Sequence, residues 1–260
     1  MEGHTVRTFD GDILNLRMRV LAMGGLAIDQ VQRAVAALVK ADTEQSREVI
    51  SRAQQITAYG QSVEEDIVGL IARRQPVASD LRAILATGRV ATDLERVGNA
   101  ARKIARLSIE LHGESEIAPL AYFYNDVRKM SRLALAMLRE ALDALDRVDT
   151  TAAAAIMLRD AELDAEFHMA LRELVTYVME DPRHLHNTVQ TVFIIKALER
   201  VGDHARNIAA TVPKLARREE GLPAANGNGD HPAPSSPPPR EAVPAAAGRR
   251  DDPPPDHHTD

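Results

Sequence analysis

The sequence predicts an all-α fold: two tandem, pseudo-symmetric three-helix bundles, six helices in all, followed by a disordered C-terminal tail. Three observations carry this. Apolar residues recur at three- and four-residue spacing over long stretches, in a chain with 3% aromatics and no Trp; such a core of Leu, Val, Ile, Ala and Met suits helices better than sheets. One phrase is written twice: TDLERVGNAARKIARL at 92–107 returns as KALERVGDHARNIAATV at 196–212. Finally, ten of the fourteen prolines fall after Leu222, a density that excludes a helix or a packed core.

The repeat extends beyond that phrase. Ala34–Ile56 aligns with Ala141–Leu163, so that Asp42-Thr43 matches Asp149-Thr150, and IARRQP at 71–76 lies in the same region as YVMEDP at 177–182. Two halves of about 100 residues follow, with boundaries at 1–113 and 114–218 and a tail over 219–260. In the first half, a helix from about Asp12 to Lys40 is expected on the ladder Leu14, Met18, Leu21, Ile28, Val31, Val35 and Leu38. Asp42 and Thr43 supply a break with capping chemistry. A second helix should end near Gln75, before Pro76, and Ser79-Asp80 should cap a third that ends near His112-Gly113. The second half repeats the plan over about 116–147, 151–180 and 184–218.

Composition removes several function classes. The net charge of -6 argues against a general nucleic-acid binder, while leaving room for a local basic patch. The absence of cysteine removes disulfides, thiolate zinc sites and thiol catalysis. The N-terminus lacks the apolar core of a secretory signal, and the longest apolar runs, such as Leu21–Ile28, fall far short of the roughly 20 residues of a membrane span. A soluble protein is expected, with any membrane contact peripheral or through a partner. No G-x-x-x-x-G-K-[ST] loop, G-x-S-x-G elbow or Glu-x-x-His pair is present in the body, so an enzyme is not expected. His168, His184 and His186 have no useful mutual spacing and are read as surface or satisfied histidines.

Two carboxylate pairs stand out. Glu199 and Asp203 lie four residues apart, on one helix face nearly opposite the stripe Ile194, Leu198, Val201, Ala205 and Ile208. Spacing alone reads them first as a solvated acidic face, with Arg200 and Arg206 nearby, and second as ligands. Gly202 between them costs about 1 kcal/mol in a helix and marks close backbone packing. Asp160 and Asp164 form the second pair, on a helix whose apolar stripe runs through Ile156, Leu163, Phe167, Ala170, Leu174 and Val178. Asp160 falls inside that stripe and needs a partner, either Arg or Lys or a metal ion. If the two helices pack side by side, four carboxylates converge on an oxygen-rich site suited to a hard cation. In the first half the matching positions are Ala53, Thr57, Glu95 and Asn99, so Glu95 and Asn99 are the remnant of that set.

The opening HTVRTFDGDILNLRMRVLAMGGL, the loop IARRQPVASDLR, DLERVGNAARKIA, TYVMEDP and ALERVGDHARNIA together resemble the PhoU family, regulators of phosphate signalling associated with bacterial high-affinity phosphate uptake. The likeness covers about residues 4–215. It implies a cytoplasmic adaptor without catalysis, peripheral to the inner membrane through its partners. Those partners are the ATPase subunit of the phosphate ABC transporter and a sensor histidine kinase, and a homodimer is expected. The adaptor holds the phosphate-starvation response off when phosphate is plentiful. The family's E/D-x-x-x-D motifs imply metal ligation, by Fe, Mn, Mg or Zn, carried here onto Asp160, Asp164, Glu199 and Asp203. Half one departs from the motif at Ala53, Thr57 and Asn99. Arg73, Arg74 and Arg82 in the 71–82 loop are offered as contacts to an acidic partner surface, or as parts of a helix break capped by Asp80. No anion cradle is legible in the sequence, so phosphate sensing is expected to lie in the transporter. The other reading is a metal-binding or metal-buffering bundle with no phosphate role.

Overall fold

The structure is a computed structural model that describes residues 2–113 and 123–219. Its helices are α1 (Glu2–Lys40), α2 (Thr43–Arg74), α3 (Ala78–Gly113), α4 (Phe123–Arg147), α5 (Thr150–Glu180), α6 (Leu185–Ala209) and α7 (Val212–Glu219), with a single 3-10 turn, Pro182–His184, before α6. The expected start of the fourth helix at 116 and the proline-rich tail from 220 lie outside the described residues. Helices α1–α3 pack on one another, as do α4–α6, and the two bundles join along α3 against α6 and α1 against α4. One hydrophobic core runs through both.

The matched turns are built alike. Ala41 and Val148 take left-handed backbone angles, φ 55° and 53°. The next amide reaches back to close the preceding helix, Asp42 N–H to the Ala37 carbonyl and Asp149 N–H to that of Ala144, both at 2.9 Å. Each aspartate then caps the following helix. Asp42 accepts from the Gln45 N–H, while Asp149 accepts from Thr151 and Ala152. A β-branched residue at φ 53° is unusual; its partly buried side chain packs against the core.

Three expectations need correction. Along the first part of α1 the buried ladder is Ile13, Leu16, Val20, Met23 and Ala27, whereas Leu14 and Met18 are each 54% exposed. Both ladders are helical in period; the one that faces α3 wins the core. Ser79 and Asp80 sit within the first turn of α3, which starts at Ala78 directly behind Val77 and Pro76. Asp80 there complements the helix dipole as an acid in the first turn. The last long helix is broken at Ala210-Thr211, because Pro213 has no N–H to give and its ring clashes with the carbonyl four residues back.

Candidate functional site

Helix α6 is the most enclosed element of the second bundle, packed by α3, α4 and α5 at once. Its stripe Ile194, Leu198, Val201, Ala205 and Ile208 is fully buried. This enclosure changes the fate of Glu199. Expected on a solvated face, it is 9% exposed, because neighbouring helices cover α6 well beyond its apolar stripe. Its Oε1 accepts from Lys196 Nζ at 2.6 Å, and its Oε2 is buried with no hydrogen-bond partner among the described residues. Lys196 also lies over the Phe167 ring of α5, at 5.0 Å.

Asp160 is buried within the α5 stripe, and its partner is Arg206 of α6, whose Nη1 donates to Oδ2 at 2.8 Å. The other Nη of Arg206 lies 3.7 Å from Asp203 Oδ1. Burial pushes the Asp160 carboxyl above its usual range; Arg206 draws it down, and the charges of Asp164 and Asp203 push it up again. Arg206 thus lies between Asp160 and Asp203, the charges of Asp164 and Asp203 act on the Asp160 carboxyl, and Glu199 sits one turn before Asp203 with Lys196. Among the described residues no group of three or more His, Asp or Glu side chains is poised to hold a metal ion. The carboxylate chemistry fits a hard cation; the arrangement with Arg206 and Lys196 in place is that of ion pairs.

Gly202 is explained by packing. A Cβ there would fall 2.2 Å from Leu163 Cδ2, so glycine lets α5 lie close on α6. Gly98 plays the same part in the first bundle, where a Cβ would meet Ile56 Cδ1 at 2.8 Å. The glycine of the repeated phrase is a helix-packing residue in both copies.

In the first bundle Ala53 is buried and Thr57 is exposed. Glu95 lines a cleft of about 650 Å³ between α2 and α3 together with Thr57, Gln61, Glu64 and Arg89. Burial, with help from the Glu64 charge, raises the Glu95 carboxyl above its usual range. Asn99 is exposed and lines a separate groove between α3 and α6. Of the loop arginines, Arg74 is engaged with Asp12 of α1 at 2.9 Å, while Arg73 and Arg82 are exposed.

One partly buried pair has no signal in the sequence. His204 Nδ1 lies 2.9 Å from Asp93 Oδ1, joining α6 to α3 across the two halves. The Asn207 side-chain amide donates to the same oxygen at 3.4 Å. At a sequence separation of 111, no spacing rule could have paired them. His168, by contrast, is satisfied as expected, with Nδ1 at 2.7 Å from the Asp164 carbonyl.

Comparison with known proteins agrees with this duplicated architecture. The PhoU domain family matches twice, over residues 20–108 and 127–212. The chain is 42% identical over 214 residues to the phosphate-specific transport system accessory protein PhoU homolog of Pseudomonas putida, covering 82% of each chain. It is 42% identical to the corresponding homolog of Pseudomonas aeruginosa, covering 82% of this chain and 87% of that one. The crystal structure of PhoU from Pseudomonas aeruginosa superposes with a TM-score of 0.75 over 80% of this chain and 99% of its own. That of the phosphate transport system regulatory protein PhoU from Streptococcus pneumoniae, 27% identical, gives 0.73 over 80% and 96%. Two matches to one domain, in register with the two bundles, and relatives aligned along most of their length establish that this chain belongs to the PhoU family.

Proposed function

We propose that this protein is a regulatory accessory subunit of phosphate uptake. It links the ATPase subunit of a phosphate ABC transporter to a sensor histidine kinase, and holds the phosphate-starvation response off in phosphate-rich conditions without catalysis of its own. The observation that carries this is the family match across both bundles, to relatives named as accessory proteins of phosphate-specific transport. The surface is compatible with docking. Among the described residues no helix is long and apolar enough to cross a membrane, so a membrane position would come through partners. The α2–α3 end exposes Val68, Val77 and Leu85, and the corresponding α5–α6 end exposes Val175, Met179, Leu185 and Val189. Arg73 and Arg82 lie at the first of these ends. Co-precipitation of the tagged full chain from phosphate-replete cells should retain both the transporter ATPase and the kinase, and Arg73→Glu/Arg82→Glu should weaken at least one of them. Retention of neither partner above a mock purification would sink the adaptor reading.

A second reading has its own support. The buried Oε2 of Glu199, without a hydrogen-bond partner among the described residues, and the charges of Asp164 and Asp203 acting on the buried Asp160 support Asp160, Asp164, Glu199 and Asp203 as a site for a divalent or iron-type cation, which would bring charge neutralisation between α5 and α6. Arg206 would first have to leave Asp160. Elemental mass spectrometry of the untagged chain and of Glu199→Gln/Asp203→Asn tests it: near-stoichiometric metal lost in the variant supports the site, and equal, negligible metal in both removes it.

A further inference from the structure

A groove of about 460 Å³ lies between α3 and α6, lined by Arg96, Arg102, Lys103, Arg106, Lys196 and Arg200 over a floor of Ala100, Leu107 and Ala197. Among the described residues, six cations and no acid line it, in a chain of net charge -6. Among the described residues, Arg96, Arg102, Arg106 and Arg200 have no carboxylate or carbonyl partner, whereas Lys196 is held by Glu199 and Lys103 lies over the Phe193 ring at 4.6 Å. On α3 the spacing 96, 99, 103, 106 places these side chains on one helix face.

The contacts along the groove give its direction. Asp93 of α3 meets His204 of α6 at one end, and Lys103 meets Phe193 at the other, so the two helices run antiparallel. Ten residues of α3 separate those points, about 15 Å of helix. Between them, Arg96 and Arg200 are the same arginine of the repeated phrase, one from each copy, brought to one groove by the pseudo-twofold packing.

We propose that this groove binds a small linear oligophosphate, a ligand carrying two or more linked phosphate groups. Clustered like charges cost free energy unless a counter-charge meets them, and guanidinium groups match phosphate oxygens in pairs. The groove has the volume of a small-molecule pocket, and its cations extend along it rather than converging on one point, which suits a chain of anionic groups better than a single phosphate. The acidic chain as a whole disfavours an extended polyanion such as nucleic acid or a lipid surface. The inference stands apart from the partners proposed above and from the acidic pairs on α5 and α6.

Isothermal titration of the full chain at low salt with inorganic phosphate, sodium tripolyphosphate and metal-free ATP tests it. Tripolyphosphate should bind one to one, at least tenfold tighter than inorganic phosphate. Arg96→Ala/Arg200→Ala and, independently, Lys103→Ala/Arg106→Ala should each weaken binding at least tenfold with the melting temperature kept. Arg132→Ala/Arg139→Ala, exposed cations away from the groove, should leave it unchanged. Equal binding of ATP and tripolyphosphate supports a site that reads the phosphate chain alone; tighter ATP supports the same site with the base over the Ala100–Leu107 floor. No saturable binding, equal affinity for inorganic phosphate, or equal losses in the Arg132/Arg139 control would overturn the proposal. So would capture of the chain by phosphatidylglycerol vesicles, lost in the Arg96/Arg200 variant, without tripolyphosphate binding.

Discussion

The two copies of the LERVG phrase differ in what surrounds an identical backbone. In both, the glycine admits an aliphatic side chain from the preceding helix, Ile56 over Gly98 and Leu163 over Gly202. In both, the arginine turns to the shared groove. The glutamates diverge. Glu95 lies over Gly60 with Glu64 as its charged neighbour, whereas Glu199 is buried and held by Lys196. The last residue diverges too: Asn99 joins the cationic groove, and Asp203 shares Arg206 with Asp160. The packing part of the phrase is common to both copies; the buried carboxylate and its ion pairs are found in the second copy, where the first has Ala53, Thr57 and Asn99 at three of the four matching positions. A fold can therefore keep its symmetry while its surface chemistry loses it.

The largest effect should come from breaking the shared part. Gly202→Val and Gly98→Val each drive a branched side chain into a filled interface and should cost about 2–3 kcal/mol, read as loss of denaturant midpoint. Indifference at either position would mean the two copies do not share a packing role.

A smaller effect separates the halves. Arg206→Ala leaves Asp160 buried without its cation and should cost about 1 kcal/mol near neutral pH, limited because the half-exposed guanidinium is screened by water. The pH dependence has a definite sign. The Asp160 carboxyl is raised above its ordinary 3.8, so the native state holds the proton more tightly than the unfolded chain. Its contribution is fully present below that value and is lost as pH rises through the raised one. Without Arg206 the carboxyl rises further, so the deficit of the variant should grow as pH rises through the raised Asp160 value and level off above the variant's own. Adding Asp160→Asn should flatten that profile; a deficit independent of pH would show that Arg206 acts by packing alone.

The smallest contrast lies at the turns. Asp149→Ala removes two capping hydrogen bonds and Asp42→Ala one. Both losses should be about 1 kcal/mol, with the Asp149 variant melting lower. The reverse order would break the comparison of the two turns.

Much of this was legible in the sequence. The 3.6-residue period, the Asp-Thr punctuation and the doubled phrase were enough to lay out two bundles, and Gly202 announced close packing before any partner was known. Asp160 was recognisable as an acid on an apolar face in need of a cation or a metal. What was hidden is what only tertiary packing decides. The burial of Glu199 is invisible along a single helix, because it depends on the three neighbours packed around α6. Leu14 and Met18 belong to a valid ladder that lost to Ile13, Leu16 and Val20. The cationic groove had a sequence signal in Arg96, Arg200 and the ARKIAR run at 101–106, but its meaning depends on two helices a hundred residues apart meeting antiparallel. His204 and Asp93 meet for the same reason.

The most direct test of the account is genetic. In the organism that encodes this chain, its deletion should switch on a phosphate-starvation reporter in phosphate-rich medium, and the intact chain supplied in trans should silence it again. A reporter that stays silent in the deletion strain, while still responding to true starvation, would contradict a regulatory role in phosphate uptake.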